Sequence, residues 1–224
     1  SAPDALAGID PTKIAEARKA SSIALRPMME VTQANKVSWL VAAAAGADWA
    51  AKVFPDLDSA DEQVDALWDA IFNSVHLYEE DPIAHWAKKV DTLQSKADEL
   101  NSEKFSALHF KGPGTDLVVG LPELHRFEGA GSTNARGEVF VANLPTEEVF
   151  SAPDANRVDG VVVSTKPLSY SGTIIEGIEF HFENGKVTKV SADTGEEVLQ
   201  KLIEQDEGAS RLGEVAIVPD ESPI

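Results

Sequence analysis

The spacing of apolar residues changes near residue 104, and that switch most constrains what this 224-residue chain can fold into. Upstream, apolar residues recur at intervals of three and four, the period of one helix face. Asp10-Pro11 sets an N-cap residue before a proline at the first helical position, and Ile14, Ala17, Ser21, Leu25 and Met28 follow at helical spacing. Pro27 is expected to kink or end that helix. A short helix is expected over 47–54, stopped by Pro55. Ser59-Ala-Asp-Glu62 forms a capping box ahead of Val64, Leu67, Trp68, Ile71 and Val75, and Asp81-Pro82 opens a helix bearing Ile83, Trp86, Val90, Leu93, Ala97 and Leu100. The apolar run at 37–43 reads as a buried strand inside this helical part, and the four Trp, all in this half, read as core.

From 105 onward the pattern becomes strands between turn signals. Strands are expected at 105–110, 115–120, 136–142, 157–164, 178–183 and 186–191, with a final buried strand at 213–219. Lys111-Gly-Pro-Gly114 marks a turn, and Asn184-Gly185 supplies the two positive φ angles of a type I′ hairpin. Asp193-Thr-Gly-Glu196 caps one late helix through Val198, Leu199, Leu202 and Ile203. The expected fold class is α+β: a mainly helical part over 1–104 with one buried strand, then a strand-rich, mostly antiparallel part over 105–224.

Composition narrows the function. Hydrophobic residues at 43% and charged residues at 25% describe a globular chain, and the longest apolar stretch, 39–45, is too short to cross a bilayer. Ser1-Ala-Pro-Asp4 has neither the positive start nor the apolar run of a signal peptide. The absence of Cys excludes disulfides, thiolate zinc sites and a cysteine nucleophile, and a cytoplasmic location is expected. A net charge of −19 argues against nucleic acid or an anionic membrane as partner.

Local motifs exclude further chemistry. His76, His85, His109, His125 and His181 form no HxxxH pair. His76 and His85 sit on helical segments without a site signal, His181 reads as a surface or packing residue, and for His109 and His125 a place at a pocket is only the minor reading. Lys111-Gly-Pro-Gly-Thr115 lacks the Gly-Lys-Ser/Thr ending of a phosphate loop, Gly129-Ala-Gly131-Ser132 lacks a G-x-G-x-x-G frame, and no Ser occupies a nucleophile elbow.

Two carboxylate settings stand out. Glu147 and Glu148 follow a strand and Pro145; as residues alone they are either a site at a strand end or a charged first helical turn. Glu214 enters a run otherwise set to be buried, where a carboxylate needs a partner. Arg211 in a structural ion pair and a divalent metal are equally open readings of it.

Three stretches at these residues resemble the M29 family of metallo-aminopeptidases, the thermophilic aminopeptidase and aminopeptidase S type. They are Leu108-His-Phe-Lys-Gly-Pro-Gly-Thr-Asp-Leu117, Asn143-Leu-Pro-Thr-Glu-Glu-Val-Phe-Ser-Ala-Pro153 and Glu207-Gly-Ala-Ser-Arg-Leu-Gly-Glu214. Gly8-Ile-Asp-Pro-Thr-Lys-Ile14, Ser38-Trp39 and Trp49-Ala-Ala-Lys-Val-Phe-Pro-Asp56 are similar in the same order. The resemblance implies an exopeptidase that removes N-terminal residues from peptides by two-metal-assisted hydrolysis, cytoplasmic and homodimeric, with two divalent ions (Zn, Co or Mn). It implies Glu148 and Glu214 as metal ligands. Glu147 and Arg211 are candidates for supporting the ligands, with Glu147 also a candidate base; no catalytic residue is assigned. It further implies that the remaining His and Asp ligands and a Tyr lie beyond Ile224, that the family chain begins before Ser1, and that these 224 residues alone are inactive. The alternative is a non-catalytic acidic module for dimerisation or peptide binding. A carboxylate-only Ca²⁺ or Mg²⁺ site is a third reading, without an EF-hand-like loop to support it.

Overall fold

The structure, a computed structural model, describes residues 9–170 and 173–223. In chain order the elements are α1 (Pro11–Gln33), β1 (Val41–Ala42), α2 (Ala47–Val53), α3 (Ala60–Ser74), α4 (Pro82–Glu103), β2 (Ala107–Gly112), β3 (Thr115–Gly120), β4 (Gly131–Thr133), β5 (Val139–Val141), β6 (Asn143–Leu144), β7 (Val149–Ser151), β8 (Val158–Val163), β9 (Leu168–Tyr170), β10 (Thr173–Ile175), β11 (Glu179–Glu183), β12 (Lys186–Ser191), α5 (Glu196–Ile203) and β13 (Val215–Ile217). They group into two compact units. One takes the described residues within 1–94, 129–148 and 218–224; the other takes 95–128 and 149–217. The change of pattern near 104 and the division in space are therefore different boundaries. Strands β4 to β6 group with the helices because β6 finds its partner in β1, by parallel pairing.

In the first unit, α3 starts where the capping box requires. The backbone N–H of Glu62 donates to Ser59 Oγ at 3.2 Å, and the Ser59 N–H donates to Glu62 Oε2 at 3.1 Å. Ala50, Leu67 and Ile71 form its buried core, with Trp49, Phe54, Val64, Trp68 and Phe72 packed around them. Helix α4 starts in this unit and passes into the other after residue 94; along it Leu93, Ala97 and Leu100 are buried, whereas Ile83, expected on the same face, is 85% exposed.

Of the two alternatives at Pro27 one is excluded, and one further expectation in this unit is corrected. Helix α1 does not end at Pro27 but continues to Gln33. An Arg26–Glu30 ion pair spans the proline, and Thr32 Oγ1 donates to the Met28 and Met29 carbonyls beyond it. The run at 37–43 is not a buried strand: only Val41 and Ala42 pair, and Leu40 and Val41 are exposed. Among the described residues this strand's sheet has two strands, and a periodic apolar run does not by itself supply a layer to pack against.

The second unit is built on an antiparallel sheet in the order β12-β11-β8-β3-β2. The hairpins fall at the predicted turns. Gly112 pairs with Thr115 across Pro113-Gly114, and Glu183 pairs with Lys186 across Asn184 (φ 52°) and Gly185 (φ 79°). Helix α5 buries Leu199 against Ile175 and Ile178. Its N-cap differs from the expected one. Gly195, in the left-handed region at φ 75°, takes the position without a side-chain cap, while Glu196 reaches back to accept from the Ala192 N–H. Strand β13 pairs antiparallel with β7, burying Val215 and Val149. The α+β class with a mostly antiparallel sheet is as expected.

Candidate metal centre

Residues 145–148 run irregularly between β6 and β7, so no helix starts at the acidic pair and the first-turn reading of Glu147 and Glu148 is excluded. The two carboxylates have different surroundings. Glu148 is half-buried and lines a groove of about 520 Å³ with Val41, Ala42, Asn143, Leu144, Pro145 and Thr146, while Val218 and Ser222 complete the wall. Glu147 touches the same groove but is only 3% exposed.

A carboxylate that deep needs compensating charge. Lys89 of α4 supplies it, with Nζ 2.5 Å from Glu147 Oε2. That oxygen has no partner in hydrogen-bond geometry, so the contact is an ion pair. Glu147 Oε1 faces His76 Nε2 at 3.2 Å. His76 follows α3 in the left-handed region at φ 56°, which turns its ring toward α4. There its ring stacks on that of His85, with centroids 4.3 Å apart. Trp86 anchors the corner by donating its indole N–H to the Val75 carbonyl at 2.8 Å, and Lys89 Nζ lies 5.9 Å from the Trp86 ring centroid.

Glu214 belongs to the other unit, and its expected burial is corrected. It is exposed, because the ladder to β7 and the burial that comes with it begin one residue later, at Val215. Arg211 is not its partner: the guanidinium donates to the Ala155 carbonyl. Among the described residues Glu214 makes no hydrogen bond or ion pair.

The remaining histidines are distributed over surfaces and turns. His109 lies exposed on β2 with Nε2 2.6 Å from Asp116 Oδ1. His109, with help from Lys111, holds the Asp116 carboxyl below its ordinary range. His181 pairs with Glu179 at 2.7 Å and lowers that carboxyl in the same way. His125 faces the Pro122 carbonyl through Nδ1, and its buried Nε2 has no hydrogen-bond partner among the described residues.

Sequence reasoning missed the cluster around His76. His76, Glu79 and His85 bring one ligand atom each within 4.8 Å of the others. The available signal was a His and a Glu in the short connection between two helices and a second His in the first turn of the next helix, which the turn folds together although no helical spacing aligns them.

The chain belongs to the M29 family: the family model described as thermophilic metalloprotease (M29) matches residues 1–224. It is 52% identical over 222 residues to aminopeptidase PepS of Streptococcus thermophilus and 47% identical to aminopeptidase T of Thermus thermophilus. Each match covers 99% of this chain and 54% of the relative, so the chain spans about half the length of the curated relatives it matches. The solved structure of wild-type AmpT from Thermus thermophilus has a TM-score of 0.92 at 46% identity, over 100% of this chain and 54% of that one. The resemblance read from the motifs and the expected fold are both borne out by these matches.

A metalloprotease family implies divalent metal, and each unit carries one of the two carboxylates that the motifs single out. Glu148 presents a hard oxygen donor at a groove, and Glu214 presents a second, exposed carboxylate.

Proposed function

We propose that these residues form part of a metal-dependent aminopeptidase that removes N-terminal residues from peptides. The observation that carries this reading is the contrast within one dipeptide: Glu148 lines the groove, while Glu147 beside it is locked by Lys89 and His76. In this reading Glu148 and Glu214 hold divalent ions. Such ions, when bound, polarise the scissile carbonyl and bring a water's pKa toward neutrality. Glu147 acts as a positioning residue. Its buried ion pair fixes the backbone from which Glu148 projects and leaves it poorly available as a base. Arg211 steadies the approach to β13 through the Ala155 carbonyl. The Glu148 carboxylate in the groove wall favours the cationic α-amino end of a peptide. The same family likeness supports two ions drawn from Zn, Co or Mn, a homodimer, and a cytoplasmic location.

The test is metal content and leucyl-anilide hydrolysis by the intact gene product, compared with Glu148→Gln and Glu214→Gln. Loss of both metal and turnover is expected in each variant, and near-normal activity in both removes the assignment. A preparation limited to these 224 residues is expected to hydrolyse no anilide. Metal-dependent turnover by such a preparation, verified by intact mass, overturns that expectation.

A further inference from the structure

The connection between α3 and α4, with the first turn of α4, carries a donor set that includes neither Glu148 nor Glu214. Glu79 Oε1 lies 3.8 Å from His76 Nδ1 and 3.9 Å from His85 Nδ1, and the three ligand atoms are all within 4.8 Å of one another. Ligand atoms around a tetrahedral zinc sit about 3.4 Å apart, given metal–ligand bonds near 2.05 Å. Closing this triangle takes side-chain movements of up to about 1.4 Å, judged against that tetrahedral geometry. The Glu79 contacts exceed that spacing by about 0.5 Å, which rotation of its exposed side chain supplies, and the remaining gap between the two stacked imidazoles closes by turning the half-buried His85 ring out of the stack. Two imidazoles and one carboxylate are a borderline N/O donor set, which suits zinc better than calcium or magnesium.

The second nitrogen of His76 has both a carboxylate and an ammonium within reach, Glu147 Oε1 at 3.2 Å and Lys89 Nζ at 3.0 Å. A ligating histidine usually donates its other N–H to a carboxylate, which fixes the ring and the tautomer. Here that carboxylate is Glu147, 3.2 Å from Nε2 and itself buried and ion-paired to Lys89. Solvent reaches the site through His85, whose side chain is 31% exposed, and through Glu79 at 49%.

We propose that His76 and His85, through Nδ1, and Glu79, through Oε1, form a Zn²⁺ site with an open fourth position for water. The ion also sets the tautomer of His76. Without it, Nε2 accepts a hydrogen bond from Lys89 Nζ at 3.0 Å and Nδ1–H points to Glu79. With it, Nδ1 is a ligand and Nε2–H donates to Glu147. A zinc ion at this corner thereby reverses a hydrogen-bond direction at the residue adjoining Glu148, independently of whether Glu148 binds metal.

The intact protein carrying Glu148→Gln and Glu214→Gln, which removes the carboxylates of the proposed catalytic centre, is titrated with Zn²⁺ against a chromophoric chelator. Adding His85→Ala or Glu79→Gln, both at solvent-accessible side chains, is expected to lower the stoichiometry by one ion per chain. Circular dichroism checks that the fold is unchanged. Long-range ¹H–¹⁵N spectra are expected to show His76 Nε2 protonated with zinc and Nδ1 protonated after chelation. Equal zinc stoichiometry with and without His85→Ala and Glu79→Gln overturns the site, and an unchanged His76 tautomer overturns the coupling. Retained binding in the double Gln background separates this outcome from failure of the aminopeptidase reading.

Discussion

Lys89 Nζ sits 2.5 Å from Glu147 Oε2, and the carboxylate it neutralises is only 3% exposed. The lysine comes from α4 and the glutamate from the segment between β6 and β7. The pair therefore ties the helical part of the first unit to the segment that ends in Glu148. A buried ion pair contributes little over a well-packed apolar pair, but losing one partner leaves the other charged and unsolvated.

That asymmetry sets the first expectation. Lys89→Met is expected to cost about 3 kcal/mol by stranding Glu147, and Lys89→Met with Glu147→Leu to recover most of it. Urea denaturation of the three proteins measures both. A single-variant loss below about 1 kcal/mol, the level of an exposed pair, contradicts a buried role.

Ser59→Ala removes one half of the capping box and leaves the Glu62 N–H in the first turn of α3 without its acceptor. The expected loss is about 1 kcal/mol, while Ser59→Asp, which keeps an acceptor, stays close to the parent. Both are read as a shift in denaturation midpoint at constant slope.

Asp116 and Glu179 titrate below the ordinary carboxylate range because His109 and His181, respectively, stand beside them. Folded carboxyls held low bind fewer protons than unfolded ones between the two pKa values. Their contribution to stability is therefore complete above the unfolded pKa and is lost as pH falls through the folded one. Carboxyl ¹³C shifts followed through acid should give a depressed midpoint for Asp116 that moves upward in His109→Ala. An unmoved midpoint would show that His109 is not the cause. Both carboxyls are solvent-exposed, so the readout is the titration and not the global stability.

Gly185 lies at φ 79°, and a Cβ there would meet the Ala155 carbonyl oxygen at 1.9 Å. Gly185→Ala is expected to cost about 1–3 kcal/mol from left-handed strain, with the clash adding to it. Asn184→Gly, at φ 52° in open hairpin geometry, should be close to neutral. Thermal melts of the two variants compare them directly, and equal melting temperatures would contradict the close approach.

Much of the local structure was legible because its causes are local. The capping box at Ser59, the Asn184-Gly185 turn and the β2–β3 hairpin depend on residues a few positions apart, and each formed where its pattern lies. The expectations that required knowing the surroundings were the ones revised. An apolar run at 37–43 does not say what covers it, and Glu214 ahead of apolar residues does not say where the ladder begins.

The site divides in the same way. Sequence alone determined the family, through motifs in order, and singled out Glu148 and Glu214 by their place in those motifs. Only the tertiary structure decided that Glu147 and Glu148, neighbours of identical chemistry, have separate surroundings. That decision rests on Lys89 and His76, which lie 58 and 71 positions away along the chain. Burial and charge pairing are set by neighbours in space, and no residue pattern within 145–148 encodes them. The His76, Glu79 and His85 cluster follows the same rule: residue types are read from the chain, but a shared metal-sized gap exists only once a turn has brought the side chains together.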